Sequence, residues 1–312
     1  MRIFLLLAIF LLTILFFPGP FKGDSSVIIQ HGSLVKASET LEKENIVYNN
    51  LLFLIPAKIA NYFKTLKAGE YIFTKHASIF HIINKMQSGD VVFYKISIPE
   101  GLTSTEIIKI IDSQIMLSGT ILNTQNFTEG SFLPETYYFT RGEQKQLLLS
   151  RIRKAMDTSV DMLWKDRVQN PHLKTKNDLI ILASIVEKEA KSNEDRKKIA
   201  SVFLNRLKKG MKLQADPTVI YAITKGQYKL ERNLFTKDLA LNSPWNTYYT
   251  AGLPPSPIAN PGIESLKAVS KPISTNYLYF VVNDCNGNHA FASNLPEHKK
   301  NVQLYRKLNC NF

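Results

Sequence analysis

Residues Leu179 to Val186 are apolar on nearly every side of a helix, and this constrains the fold more than any other stretch of the chain. A surface helix carries one apolar stripe, whereas a helix apolar all round has to be buried. The rest of the chain must therefore wrap it. Composition permits that: hydrophobic residues make up 45% and charged residues 21%, ordinary for a globular protein and far from a disordered one. A length of 312 residues predicts one large or two modest domains. Two cysteines cannot supply a metal ribbon or a disulfide-dense scaffold, though Cys285 and Cys310 could pair in an oxidising compartment.

The buried run leads directly into Glu187. Ser184 and Ala183, three and four residues back, share its helix face and are small, which leaves room for a ligand beside the carboxyl group. Ile185 and Val186 flank it with carbon, and desolvation raises a carboxyl pKa, so such a group can act as an acid near neutral pH. The plainer reading is that Glu187 marks where the helix reaches the surface. Glu189 points elsewhere on the helix and reads as solvated, like Lys188.

One other apolar stretch sets the compartment. Ile3 to Phe17 carries no charge and continues through Pro18-Gly19-Pro20-Phe21, with Arg2 ahead of it. It is the one stretch apolar enough to enter a bilayer, which excludes a polytopic membrane protein. Phe16 and Phe17 run into Pro18 with no small-x-small cleavage site, favouring an uncleaved anchor over residues 1–21 rather than a signal peptide. Arg2 places the N-terminus in the cytoplasm, at the inner membrane, and the bulk of the chain outside it.

The formal charge is +13, from 39 Lys+Arg against 26 Asp+Glu. The basic pairs Lys197-Lys198, Lys208-Lys209 and Lys299-Lys300 are not interleaved with aromatics, so no nucleic-acid partner is expected. Outside the membrane a basic surface suits anionic lipid or an anionic polymer.

Between the anchor and residue 95 a turn-Ser-helix-strand unit occurs twice, opened by Ser33 and by Ser78, and residues 25–95 read as a small α+β module. Pro99-Glu100-Gly101 punctuates the boundary, and Thr103 with Glu106 forms a capping box. Leu147 to Trp164 is amphipathic, Ser192 with Asp195 makes a second capping box, and Lys208-Lys209-Gly210 ends that helix. Leu213 to Tyr221 mixes polar and β-forming residues, and Tyr277 to Val282 alternates as a strand. Asn, Asp, Gly and Pro in these loops are also what turns need. The fold class expected is α+β.

The runs ASIVEKEA (183–190), SVFLNRLKKGMKLQADPTVIYA (201–222), NTYYTAGLPPSPIANPG (246–262) and YLYFVVNDCNGNHAFA (277–292) resemble the endolytic murein transglycosylase, or YceG-like, family. EGSFLPETYYF (129–139) and KAGEYIF (67–73) do so too, so the likeness spans nearly the whole chain. It implies a LysM-like module over 25–95 and a catalytic domain over 96–312, with the family's catalytic Glu falling on Glu187. Ala190, Ala215 and Ala222 stand where Thr, Thr and Gly are usual, departures that touch fine substrate contacts rather than the carboxyl group.

The resemblance implies a lytic transglycosylase using a single carboxyl group. Glu187 would protonate the bridging oxygen of a MurNAc–GlcNAc bond, and the sugar's own 6-hydroxyl would close on the anomeric carbon, leaving a 1,6-anhydro end. Asn205, Gln214, Asp216, Thr218, Asn246, Thr247 and Tyr248 are the candidates for holding the sugar. Peptidoglycan strands, and cell-wall synthases alongside them, are the partners implied. No metal cluster or Gly-rich phosphate loop is visible in the sequence, so no cofactor is expected. The competing readings are a catalytically silent glycan-binding envelope protein and a two-carboxylate hydrolase using Asp216 or Glu135 as the second carboxylate.

Overall fold

The computed structural model describes residues 9, 12–23, 26–30, 32–122, 127–285 and 287–307. These form two compact units. The first comprises residues 1–95 with 115–118 and 138–144, and the second residues 96–114, 119–137 and 145–312.

In the first unit strand β1 (Ser26–Ile29) is followed by helices α1 (Leu34–Lys43) and α2 (Asn50–Phe63), strand β2 (Gly69–Ile72), helix α3 (Ile79–Ser88) and strand β3 (Phe93–Ser97). β1 and β2 pair antiparallel, with Ser26 opposite Ile72 and Ile29 opposite Gly69. The two serines read as helix starts are N-caps: Ser33 accepts from the Lys36 N–H and Ser78 from the His81 N–H. Gly89 ends α3 at φ 72°, the left-handed conformation that favours glycine there. Leu41, Phe53, Tyr71, Phe73, Ile82 and Met86 fill the core. Glu70 is a buried carboxylate here, and it is matched. Burial works against the charged form of Glu70, but hydrogen bonds from Tyr94 at 2.7 Å and Arg141 at 2.7 Å help hold it below the usual carboxylate range.

Residues 12–16 are helical, and the remainder of the expected anchor over 1–21 lies partly outside the described residues. Among the described residues no helix is long and apolar enough to cross a membrane.

The second unit contains α4 (Ser104–Asp112), β4 (Thr136–Thr140, which pairs with β3), α5 (Lys145–Lys165), α6 (Lys176–Glu189), α7 (Asn193–Lys208), α8 (Asp216–Thr224), the short α9 (Thr236–Leu239), α10 (Ile263–Ser270), β5 (Tyr279–Val282), β6 (His289–Ala292) and α11 (Leu295–Arg306). The division between the units falls within β3 and β4. α6 is the helix expected to be buried, and α5, α7, α8 and α10 pack around it. A capping box starts it: the Thr175 hydroxyl accepts the Asp178 N–H, and the Asp178 carboxylate accepts the Thr175 N–H at 2.8 Å. Leu182, Ile185 and Val186 are fully buried, each stabilising the fold by about 1.5–3 kcal/mol. β5 and β6 form an antiparallel hairpin, Tyr279 opposite Ala292, against which α11 packs.

Within residues 213–221, Pro217 in the first turn, with its preset φ, and Asp216 beside it start helix α8. One local expectation is corrected. The box expected at Ser192 is half made. Ser192 accepts the Asp195 N–H at 3.2 Å, but the Asp195 carboxylate is taken by Nδ1 of His289 at 2.9 Å. Cys285 is disulfide-bonded, and Cys310 lies outside the described residues.

Candidate active site

The end of α6 carries two glutamates, and the chain treats them differently. Glu187 is buried, its side chain 4% exposed. One carboxylate oxygen accepts from Nη2 of Arg196 at 2.9 Å and the other from the Gly262 N–H at 2.8 Å. The same Nη2 reaches Glu100 at 3.3 Å, and the Arg196 guanidinium also donates to Asn193. Glu100 is pushed up by its own burial and by the charge of Glu187. Both oxygens of Glu187 are thus engaged inside the fold, tying the end of α6 to the start of α7 and to the turn before α10. The expected free carboxyl with space beside it is not found at this position.

Two residues further on, about 200° around the helix axis, Glu189 faces a cleft of about 400 Å³. The reading of Glu189 as solvated is corrected: it is half-buried, and its carboxyl is pushed up to about 8. Burial is the largest cause and the negative charge of Asp216 adds to it, while Arg206 offsets part. A group titrating there is protonated at neutral pH yet close to losing its proton, which suits an acid that must also act as a base.

Residues from five further segments complete the cleft. Arg206, from the last turn of α7, donates through Nε to the Leu278 carbonyl at 2.6 Å and through Nη1 to the Leu213 carbonyl at 2.8 Å, with its guanidinium 5.2 Å from the Tyr279 ring centre. It therefore joins α7, the 212–214 loop and the chain entering β5. Gln214 lines the cleft with φ 52°, a left-handed conformation uncommon outside glycine and a strain often found at functional sites. Asp216 accepts from the Tyr248 hydroxyl at 2.6 Å, and both residues line the wall. His298, from α11, stacks on Tyr279 with centroids 5.1 Å apart, and its Nδ1 has no partner among the described residues. Burial and the charge of Arg206 lower its pKa, favouring the neutral ring.

Of the seven residues expected to hold sugar, Gln214, Asp216 and Tyr248 come together on this cleft. The other four serve the scaffold. Asn205 donates to the carbonyls of Thr275 and Tyr277, at 2.9 and 3.0 Å. Asn246 is fully buried, donating to the Leu239 and Leu241 carbonyls. Thr218 and Thr247 are buried with their hydroxyls 2.8 Å apart, and the Thr247 hydroxyl accepts the Ala215 N–H at 3.0 Å. These groups pin the 214–218 and 246–248 segments and so position the residues that face the cleft.

Glu189 was legible by the rule applied to Glu187. Its neighbours three and four residues back are Val186 and Ile185, both fully buried, so its surroundings are the greasier of the two. His298 and Arg206 gave no signal of a site in the sequence.

A profile of the YceG-like family matches residues 27–304. The chain belongs to the YceG-like family. It is 32% identical to the endolytic murein transglycosylase of Bacillus subtilis, over 91% of this chain and 85% of that protein. It is 29% identical to the endolytic murein transglycosylase of Streptococcus pneumoniae, over 90% of this chain and 58% of that longer protein. A yceG-like protein from Listeria monocytogenes, solved by crystallography, is similar in structure with a TM-score of 0.53 at 32% identity, over 89% of this chain and 99% of that one.

Proposed function

We propose that this chain is an endolytic peptidoglycan transglycosylase, with Glu189 as the single acid and base. The observation that carries the reading is the Glu189 carboxyl, raised to about 8 on the wall of a cleft lined by Gln214, Asp216, Tyr248 and His298. The protonated carboxyl gives its proton to the oxygen bridging MurNAc and GlcNAc, and the C–O bond to the anomeric carbon breaks. The 6-hydroxyl of the same MurNAc forms the new C–O bond, and its proton passes to the Glu189 carboxylate. No water enters the products, and the enzyme is restored. An internal nucleophile held near the anomeric carbon has a very high effective molarity, so a second carboxylate is not required. The assignment of the acid thus moves from Glu187 to Glu189. Glu187 becomes a positioning residue that holds the end of α6 through Arg196 and Gly262.

The two-carboxylate hydrolase keeps one supporting observation, since Asp216 lines the same cleft. Glu135, the other candidate, is not among the residues lining that cleft. Product mass separates the readings. Anhydro ends, one water lighter than reducing ends, support the transglycosylase; reducing ends support the hydrolase; uncut glycan supports the silent binding protein.

The first unit acts in this reading as a LysM-like glycan-binding module. The uncharged run Ile3–Phe17 supports anchoring in the cytoplasmic membrane, with the catalytic unit on the outer side, where strands emerge from cell-wall synthases.

A further inference from the structure

Helix α2 leaves most of its apolar side chains in the open. Only Phe53 and Ala57 are buried. Leu51, Ile55, Ile59, Tyr62 and Phe63 are 58–86% exposed and follow helical spacing along one side. Phe80 of α3 is 41% exposed nearby, and an apolar groove of about 610 Å³ runs between Ile55, Ile59, Phe63 and Phe80. A soluble protein rarely exposes a continuous apolar area of this kind without a partner for it.

We infer that this face of α2 lies in the interface of an anionic bilayer, as a second membrane contact beside the N-terminal run. Three observations choose the bilayer over other occupants. The first is charge. α2 contains no acidic residue, and from residue 58 to residue 75 the chain has four lysines and one acid, Glu70, which is buried and paired with Arg141. Lys58, Lys64 and Lys75 are exposed on this stretch, as suits anionic headgroups. The second is continuity. Leu12 and Leu15 of the uncharged N-terminal run line the same groove, and Phe16 packs on Phe80 with ring centroids 4.8 Å apart. The third is length. The 14 residues of α2 span about 21 Å, short of the roughly 30 Å of a hydrocarbon core, and Lys58 sits within them, so the helix lies in the plane of the interface rather than across it. Tyr62 and Phe63 near Lys64 give the aromatic-plus-cation end that interfacial helices carry.

The inference rests on the N-terminal run being membrane-directed and is independent of the assignment of Glu189. The test uses the full chain carrying Phe63→Trp, reconstituted in phosphatidylglycerol/phosphatidylethanolamine vesicles, with the unsubstituted chain giving the background of Trp164 and Trp245. The added emission should be blue-shifted and quenched by about half or more by lipids brominated high on the acyl chains, the depth an interfacial helix reaches. Adding Ile55→Glu and Ile59→Glu to the same chain should remove that quenching while the protein stays vesicle-bound. A bound protein with unquenched, water-like emission would overturn the second contact and leave the anchor standing. Failure to bind vesicles at all would overturn both. A blue shift that appears without lipid overturns it as well: dependence on protein concentration would mean a second copy covers the face, and independence would mean this chain's own N-terminal residues do.

Discussion

Replacing Glu189 by Gln should slow cleavage by about 10²–10⁴ and make the protein more stable. The carboxyl titrates near 8 in the folded chain against an ordinary value of 4.5. The folded state therefore binds more protons than the unfolded state between those values, and stability falls as pH rises through that window. Integrating the difference gives under about 1 kcal/mol against folding at pH 5 and about 3 kcal/mol at pH 7; partial solvent access brings the second figure to about 1–3 kcal/mol. Gln keeps the shape and carries no charge to desolvate. Its melting temperature should exceed that of the unsubstituted chain by roughly 3–8 °C at pH 7, with the gap closing toward pH 5. Thermal unfolding of both proteins from pH 4.5 to 8.5, read by circular dichroism, measures this. A Gln variant no more stable at any pH, or a gap that does not grow with pH, would refute the claim that Glu189 is held desolvated.

Other outcomes follow from the same geometry. The rate of glycan cleavage should decline above about pH 8 as Glu189 loses its proton, a profile read from product release against pH. Arg196→Met strands Glu187 in the interior without its guanidinium partner and should destabilise the second unit by about 3–5 kcal/mol, measured by denaturant unfolding. His298→Phe keeps the stack on Tyr279 but removes the ring nitrogens of a residue that lines the cleft, so glycan cleavage should weaken through KM with little change in melting temperature.

Much of the scaffold was legible because its signals are local. Ser33, Ser78 and Thr103 cap the helices they precede, and the apolar run 179–186 became the helix around which the second unit packs. The site was read less well because its decisive facts are tertiary. Whether Glu187 or Glu189 meets the cleft depends on where Arg196 and Gly262 lie, nine and 75 positions away from Glu187. Asn246 and Thr247 looked like sugar ligands because polar loop residues serve recognition and loop construction alike; only their buried partners show that they build the loop. The α2 face escaped notice because its apolar pattern is that of a helix buried on more sides than this one is.

Incubating the unsubstituted chain, Glu189→Gln and Glu187→Gln with peptidoglycan and weighing the released ends decides which carboxyl is the acid. The unsubstituted chain should release 1,6-anhydro ends, Glu189→Gln should lose about 10²–10⁴ in rate, and Glu187→Gln, whose amide can still accept the Gly262 N–H, should keep substantial cleavage. Undiminished cleavage by Glu189→Gln, with the loss falling on Glu187→Gln instead, would return the role of acid to Glu187.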